Sequence, residues 1–146
     1  MLVEQVLGRA CERLAVVDAG ASIKEVADMM AEPHTNLVIV CRDGAAIGVV
    51  TKKDIVVQIS QSLGFDLGAP VESVMTRDVA YCRSSDPLMD VWQTMKAREV
   101  QCIPVVDEKH NPVGIVYARD ALQCLLQEVE TDDELLRDFI SGVGYR

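Results

Sequence analysis

Positive charge is scarce. Lys and Arg number 14 against 23 Asp and Glu, a net charge of −9 over 146 residues. The shortage is even: residues 1–73 carry 6 basic and 10 acidic side chains, and residues 74–146 carry 8 and 13. There is no basic half and no Lys/Arg stripe, so nucleic acid is disfavoured as the main partner, since phosphate contacts need local positive charge. An anionic membrane surface is disfavoured for the same reason. Long apolar runs are missing too. The longest is Leu37-Val38-Ile39-Val40-Cys41, far short of the roughly 20 residues of a membrane helix. Glu4, Arg9, Glu12 and Arg13 break up any secretory apolar core near the N-terminus, so a cytoplasmic protein is expected.

Metal and thiol motifs are absent. The five cysteines (Cys11, Cys41, Cys82, Cys102, Cys124) are odd in number and form no CxxC pair. His34 and His110 are the only histidines, and neither has a Cys or Asp neighbour at ligand spacing. A zinc site has little to build on, and reduced, mostly buried thiols are expected. No GxxxxGK[ST], GxSxG or HExxH is present, and no general base stands beside a nucleophile. The expectation is no catalytic residue, no metal and no required cofactor: not an enzyme.

Apolar residues, by contrast, make up 49% of the 16.0 kDa chain, which suits one compact unit or two small subdomains. Self-similarity decides between them. Shifted by 66 residues, Val40–Asp54 lies on Val106–Asp120, with Gly48/Gly114, Val50/Val116 and Asp54/Asp120 identical. Shifted by 65, Val26/Val91 and Met30/Met95 match, which places a one-residue insertion between that helix and the strand after it. Val3–Leu7 also falls on Val71–Met75. Two copies follow, 1–63 and 71–129, with Gly64, Gly68 and Pro70 in the linker 64–70.

Each copy reads β-α-β-β-α. Short apolar pieces open them (Leu14–Val17; Val79–Cys82). Ser22 and Asp86-Pro87 signal helix starts, and apolar residues at helical spacing follow over 22–31 and 87–98. Buried-type strands (Leu37–Cys41; Ile103–Val106) turn at Arg42–Ala45 and Asp107–Asn111 into second strands (Ala46–Val50; Val113–Tyr117). Helices then run from Lys52 to about Leu63 and from Ala118 to about Val129. Beyond the repeat, Leu135, Leu136, Phe139 and Ile140 suggest a short C-terminal helix within 130–146, packed on the module or across a dimer.

The strongest chemical signal is the strand-to-helix junction, GVVTKKD (Gly48–Asp54) and GIVYARD (Gly114–Asp120). Unpaired N–H groups of the first helical turn point outward with the positive dipole end. A Thr hydroxyl there can donate to phosphate, and a carboxylate one turn on can accept from two neighbouring hydroxyls, as in a ribose diol. Plain capping, with Thr51 at N-cap and Asp54 at N3, explains one copy equally well. Recurrence at one place in a repeat is what raises the ligand-binding reading.

The repeat resembles a tandem pair of CBS domains, the cystathionine-β-synthase-type regulatory module also called a Bateman module. The likeness covers about 125 of the 146 residues. It rests on Val71-Glu72-Ser73-Val74-Met75-Thr76, on Ile103-Pro104-Val105-Val106-Asp107, and on both Gly-x-x-x-x-x-Asp junctions. The resemblance implies an α/β (α+β) fold with pseudo-two-fold symmetry and two clefts between the copies. It also implies an adenosine ligand there: AMP, ADP, ATP or S-adenosylmethionine. Asp54 and Asp120 would hold ribose, and Thr51 would contact phosphate. His34, Thr35, Asn36 and Leu37 in one copy, and Val100, Gln101, Cys102, Ile103 and Pro104 in the other, would receive adenine. Thr76 and Tyr81 would complete the second pocket. Lys52, Lys53, Arg119, Arg42 and Arg98 are cationic candidates for phosphate.

Three departures count. Tyr117 stands where Ser or Thr is usual, Val38 where the other copy has Pro104, and Gly8 where it has Thr76. Two functions therefore remain open. One is an adenosine-sensing regulatory module that acts on an effector protein in trans and responds to energy state. The other is an interaction module with degenerate clefts. The resemblance implies a homodimer, expected to bury faces such as Val26/Met30 and Trp92/Met95.

Overall fold

The computed structural model describes residues 1–61 and 66–129. The expected C-terminal helix at 135–140, and the last residues of the helix expected to reach Leu63, lie outside these. The first copy contains β1 (Val16–Asp18), α2 (Ile23–Met30), β2 (Leu37–Arg42), β3 (Ala45–Thr51) and α3 (Lys52–Gln61). The second contains α4 (Leu88–Arg98), β4 (Cys102–Val106), β5 (Pro112–Tyr117) and a helix α5 over 118–129. β1 pairs in parallel with β2, which pairs antiparallel with β3. In the second copy the parallel pairing shrinks to one bridge, Cys82 to Val105, beside the β4–β5 hairpin. The mixed α+β architecture is the one expected.

β2 reads as a solid apolar run because both its faces are buried. Leu37, Ile39 and Cys41 face a central core shared with Ile115 and Tyr117 of the other copy. Val38 and Val40 face the layer under α2, with Val26 and Met30. Each sheet thus lies between the other sheet and a helical layer. One outer core gathers around Leu88, Val91 and Met95, the other around Val26, Val50 and Val71.

The opening segments cross over. Residues Val3–Val6 and Val71–Ser73 form matching 3₁₀ turns, as the match between the two stretches suggests. Val3 and Val6 pack into the second copy's core, and Val71 into the first copy's. Backbone bonds fix the exchange: Val3 N donates to Asp86 O (2.9 Å), and Val71 N to Ala21 O (2.7 Å). The repeat glycines allow the close approach. A Cβ at Gly114 would lie 2.9 Å from the carbonyl carbon of Ala10, and one at Gly48 would lie 2.8 Å from the Thr76 oxygen.

Four expectations are corrected. A helix not anticipated, α1 (Leu7–Glu12), follows the first 3₁₀ turn. The inserted residue is in the hairpin turn, not before the strand. Val40 pairs Gly48, and Val105 pairs Gly114, so the offset is still 65 along the middle strands. The first turn has two residues, Asp43 and Gly44, both at positive φ (54° and 84°), the type I′ geometry. The second has three, with His110 at φ 65° and Asp107 accepting from the amides of Lys109 and Asn111. Runs of Val and Ile match at either offset, so composition could not locate the insertion. With the offset settled, Ile39 rather than Val38 stands where the other copy has Pro104.

Third, Ser22 caps α2 by accepting from Glu25 N, but Asp86 accepts from Arg83 N and leaves Pro87 at the N-cap of α4. Fourth, Val26, Met30 and Met95 are already buried within the chain, and of the four side chains expected at a dimer face Trp92 alone stays partly exposed. Half of the exposed large apolar side chains are on two helices: Val56, Val57 and Ile59 on α3, and Leu122, Leu126 and Val129 on α5.

Candidate functional site

The α3 junction opens onto a cleft of about 770 Å³. Thr51 ends β3 and Asp54 sits in the first turn of α3. Their side chains form a reciprocal cap: Thr51 N donates to Asp54 Oδ2 (2.9 Å) and Asp54 N to Thr51 Oγ1 (3.3 Å). The capping reading therefore holds. The carboxylate also accepts from two hydroxyls. Thr51 Oγ1 donates to Oδ2 and Thr76 Oγ1 to Oδ1, each at 3.1 Å. One hydroxyl on each oxygen is the pattern of a vicinal diol, supplied here by two threonines.

The other walls come from both copies. Asn36, Leu37 and Val49 belong to the first; Asp78, Val79 and Ala80 open the second; residues 98–103 precede and begin β4. Glu99 caps α4 in the left-handed region (φ 55°), which turns the backbone of 99–101 along the wall. Lys52 and Lys53 also line the cleft, as does Arg98, which pairs with Asp78 at 2.9 Å. Burial pushes the Cys102 thiol up to about 12, so it stays protonated and serves as packing.

Twelve expected residues meet here: Asn36, Leu37, Thr51, Lys52, Lys53, Asp54, Thr76, Arg98, Val100, Gln101, Cys102 and Ile103. The grouping differs from the one expected. Thr76 and residues 100–103 face Asp54 rather than Asp120, because Thr76 crosses to the first copy and exchanges both backbone bonds with Val49 (2.8 and 3.0 Å). The remaining eight lie elsewhere. Tyr81 packs edge-on against His110, centroids 4.4 Å apart. Pro104 is buried in β4, with its carbonyl accepting from Cys82 N at 3.0 Å. Thr35 N bonds Glu32 O, and Arg119 is exposed on α5. Arg42 pairs with Glu72 and does not line the cleft.

Asp120, Tyr117 and His34 meet around a residue the sequence did not single out. Arg13 donates to Asp120 through Nε (3.1 Å) and NH2 (3.2 Å). Its guanidinium lies 4.5 Å from the Tyr117 ring centroid. Tyr117 Oη donates to His34 O (2.9 Å) and accepts from Asn36 N (3.1 Å). The hydrogen bond to Asp120 raises the Arg13 pKa further, and burial raises that of the Tyr117 phenol. Arg13 follows α1, which was not anticipated, and its partner is 107 residues away. Only the 65-residue offset, which lays Arg13 on Asp78, could have flagged it.

Two crossed copies around a cleft with a junction carboxylate define a paired-repeat module. The family model described as the CBS domain matches residues 3–61 and 71–127, and the chain belongs to the CBS-domain family as a tandem pair. The solved CBS domain pair of protein MJ0100, in complex with 5′-methylthioadenosine and S-adenosyl-L-methionine, superimposes with TM-score 0.73 at 23% identity, over 88% of this chain and 98% of that one. The cytosolic domain of the Mg²⁺ channel MgtE in complex with ATP has TM-score 0.65 at 25% identity, over 82% and 52%. Among curated relatives, a homoserine O-acetyltransferase of Methanococcoides burtonii is 33% identical over 110 residues, 75% of this chain. The matched stretch spans only 22% of that relative.

Proposed function

We propose that the chain is a non-catalytic regulatory module that binds an adenosine-containing ligand in the Asp54 cleft. The observation that carries this is the Asp54 carboxylate, which holds one threonine hydroxyl on each oxygen at the edge of an open cleft. A ribose diol offers the same two donors and would displace them. The backbone of 99–101 offers the adenine edge its hydrogen bonds. Lys52, Lys53 and the start of α3 favour phosphate, so AMP, ADP or ATP fits as well as S-adenosylmethionine. Solved relatives crystallised with adenosine compounds support the ligand class. Output follows from linkage: a ligand that binds one arrangement of the two copies better shifts the population toward it. A module that reports adenine nucleotides to an effector in trans would sense energy state in the cytoplasm.

The exposed apolar faces of α3 and α5 favour assembly as part of that readout. The two helices are repeat equivalents, so a second copy can mate with both faces through a two-fold axis. The same faces would serve an interaction module if the cleft bound nothing. A thermal-shift panel of AMP, ADP, ATP, S-adenosylmethionine, NADH and GTP separates the readings. A ligand at about 100 times its Kd stabilises by roughly 2.7 kcal/mol. A selective shift with an adenosine compound, lost in Asp54→Ala, is expected. No shift with any of the six would leave the interaction module as the reading.

A further inference from the structure

The two clefts are equivalent by sequence but not by content. Val17 pairs Val40 as Cys82 pairs Val105, so position 13 lies on 78, 34 on 99 and 36 on 101. Thr51 and Asp54 lie on Tyr117 and Asp120, since Leu37 pairs Thr51 as Cys102 pairs Tyr117. At the first cleft the carboxylate holds two hydroxyls, and residues 99 and 101 line open space. At the second, each corresponding group already has a partner from the chain itself. Asp120 takes two hydrogen bonds from Arg13, in a pair whose side chains are only 13% and 10% exposed. The His34 carbonyl and Asn36 amide are both taken by the Tyr117 hydroxyl. The guanidinium stacked over the phenol ring ties the two halves together.

We propose that Arg13 and Tyr117 act as a built-in ligand that closes the second cleft, Arg13 at the position of a ribose and Tyr117 at that of a base, so that one chain binds one nucleoside ligand. The proposal rests on the adenosine reading of the first cleft. Neutral ribose hydroxyls compete poorly with a bidentate guanidinium–carboxylate pair, and expelling Arg13 would leave two charges to be resolvated. The phenol likewise denies an adenine edge both its donor and its acceptor.

Calorimetry with AMP and with S-adenosylmethionine tests this on four proteins: wild type, Asp54→Ala, Asp54→Ala with Arg13→Ala and Tyr117→Thr, and that last protein with Asp120→Ala. Threonine is the first copy's residue at the Tyr117 position. Wild type is expected to take up one probe per chain and Asp54→Ala none. Opening the second cleft restores one binding event, and Asp120→Ala abolishes it. Two probes per wild-type chain, or an opened, folded variant that binds neither probe while wild type binds one, would overturn the proposal. Where alanine at position 13 prevents folding, Arg13→Met keeps the aliphatic stem. A ligand-free readout covers the case in which wild type binds neither probe. Nitration of Tyr117 by tetranitromethane is expected to rise at least fivefold, relative to Tyr81, in Arg13→Ala or Arg13→Met. An unchanged rate means that Arg13 does not cover the ring, and the proposal fails whatever the probes do.

Discussion

Asp54 carries two duties that one substitution separates. As the N3 carboxylate of the α3 cap it contributes about 1 kcal/mol. As the acceptor for two hydroxyls it is the centre of the proposed site. Asp54→Ala should therefore lower the urea midpoint modestly while abolishing adenosine-ligand binding as calorimetry reads it, and Asp54→Asn should retain more stability than affinity. Calorimetry beside chemical denaturation reads both. The thiols give a second prediction at this scale. Burial pushes Cys82 and Cys102 up to about 12, whereas Cys11 is exposed. Iodoacetamide at pH 8 should label Cys11 well before either, as read by mass spectrometry. The sign for stability follows from the raised folded values. The neutral thiol is favoured in the folded state, and this contribution is complete below the unfolded value near 9. It is lost as pH rises from there toward 12, so the melting temperature should fall across that alkaline window.

At the scale of elements, the crossed opening segments decide which residues meet. α1 lies on β5 at Gly114, and the 75–76 segment lies on β3 at Gly48. The two contacts differ in compliance. At Gly48 one obstacle is the flexible Met75 side chain, but the other is the backbone oxygen of Thr76; at Gly114 all three nearest atoms belong to Ala10, two of them backbone. Gly114→Ala should cost roughly 1–3 kcal/mol by overpacking. The check is a lower denaturation midpoint with little change in the slope. The strands and four of the five helices were legible in the periodicity, and so was the junction motif. α1 was not: six residues, Leu7–Glu12, carry too few turns to show a period. The Thr51–Asp54 cap and the ligand site also look the same in sequence, since one pair of side chains serves both.

For the whole molecule, the proposed homodimer rests on α3, none of whose side chains is buried, and on α5. Val56→Glu together with Leu122→Glu should shift sedimentation from dimer to monomer while leaving adenosine-ligand stoichiometry per chain unchanged. A dimer that survives the double substitution would remove these faces from the interface.

The duplicated β-α-β-β-α order, both junction carboxylates and the family resemblance were determined by sequence alone, because local periodicity and repeated spacing are properties of neighbours along the chain. Tertiary structure decided which residues share a cleft. The opening segments cross between copies, so Thr76 reaches Asp54, and Arg13 reaches Asp120 across 107 residues. Such a pairing depends on two distant segments being packed against one sheet. No spacing encodes it, and it is what makes the two repeat-equivalent carboxylates unlike: one faces an open cleft, and the other is held by an arginine of the same chain.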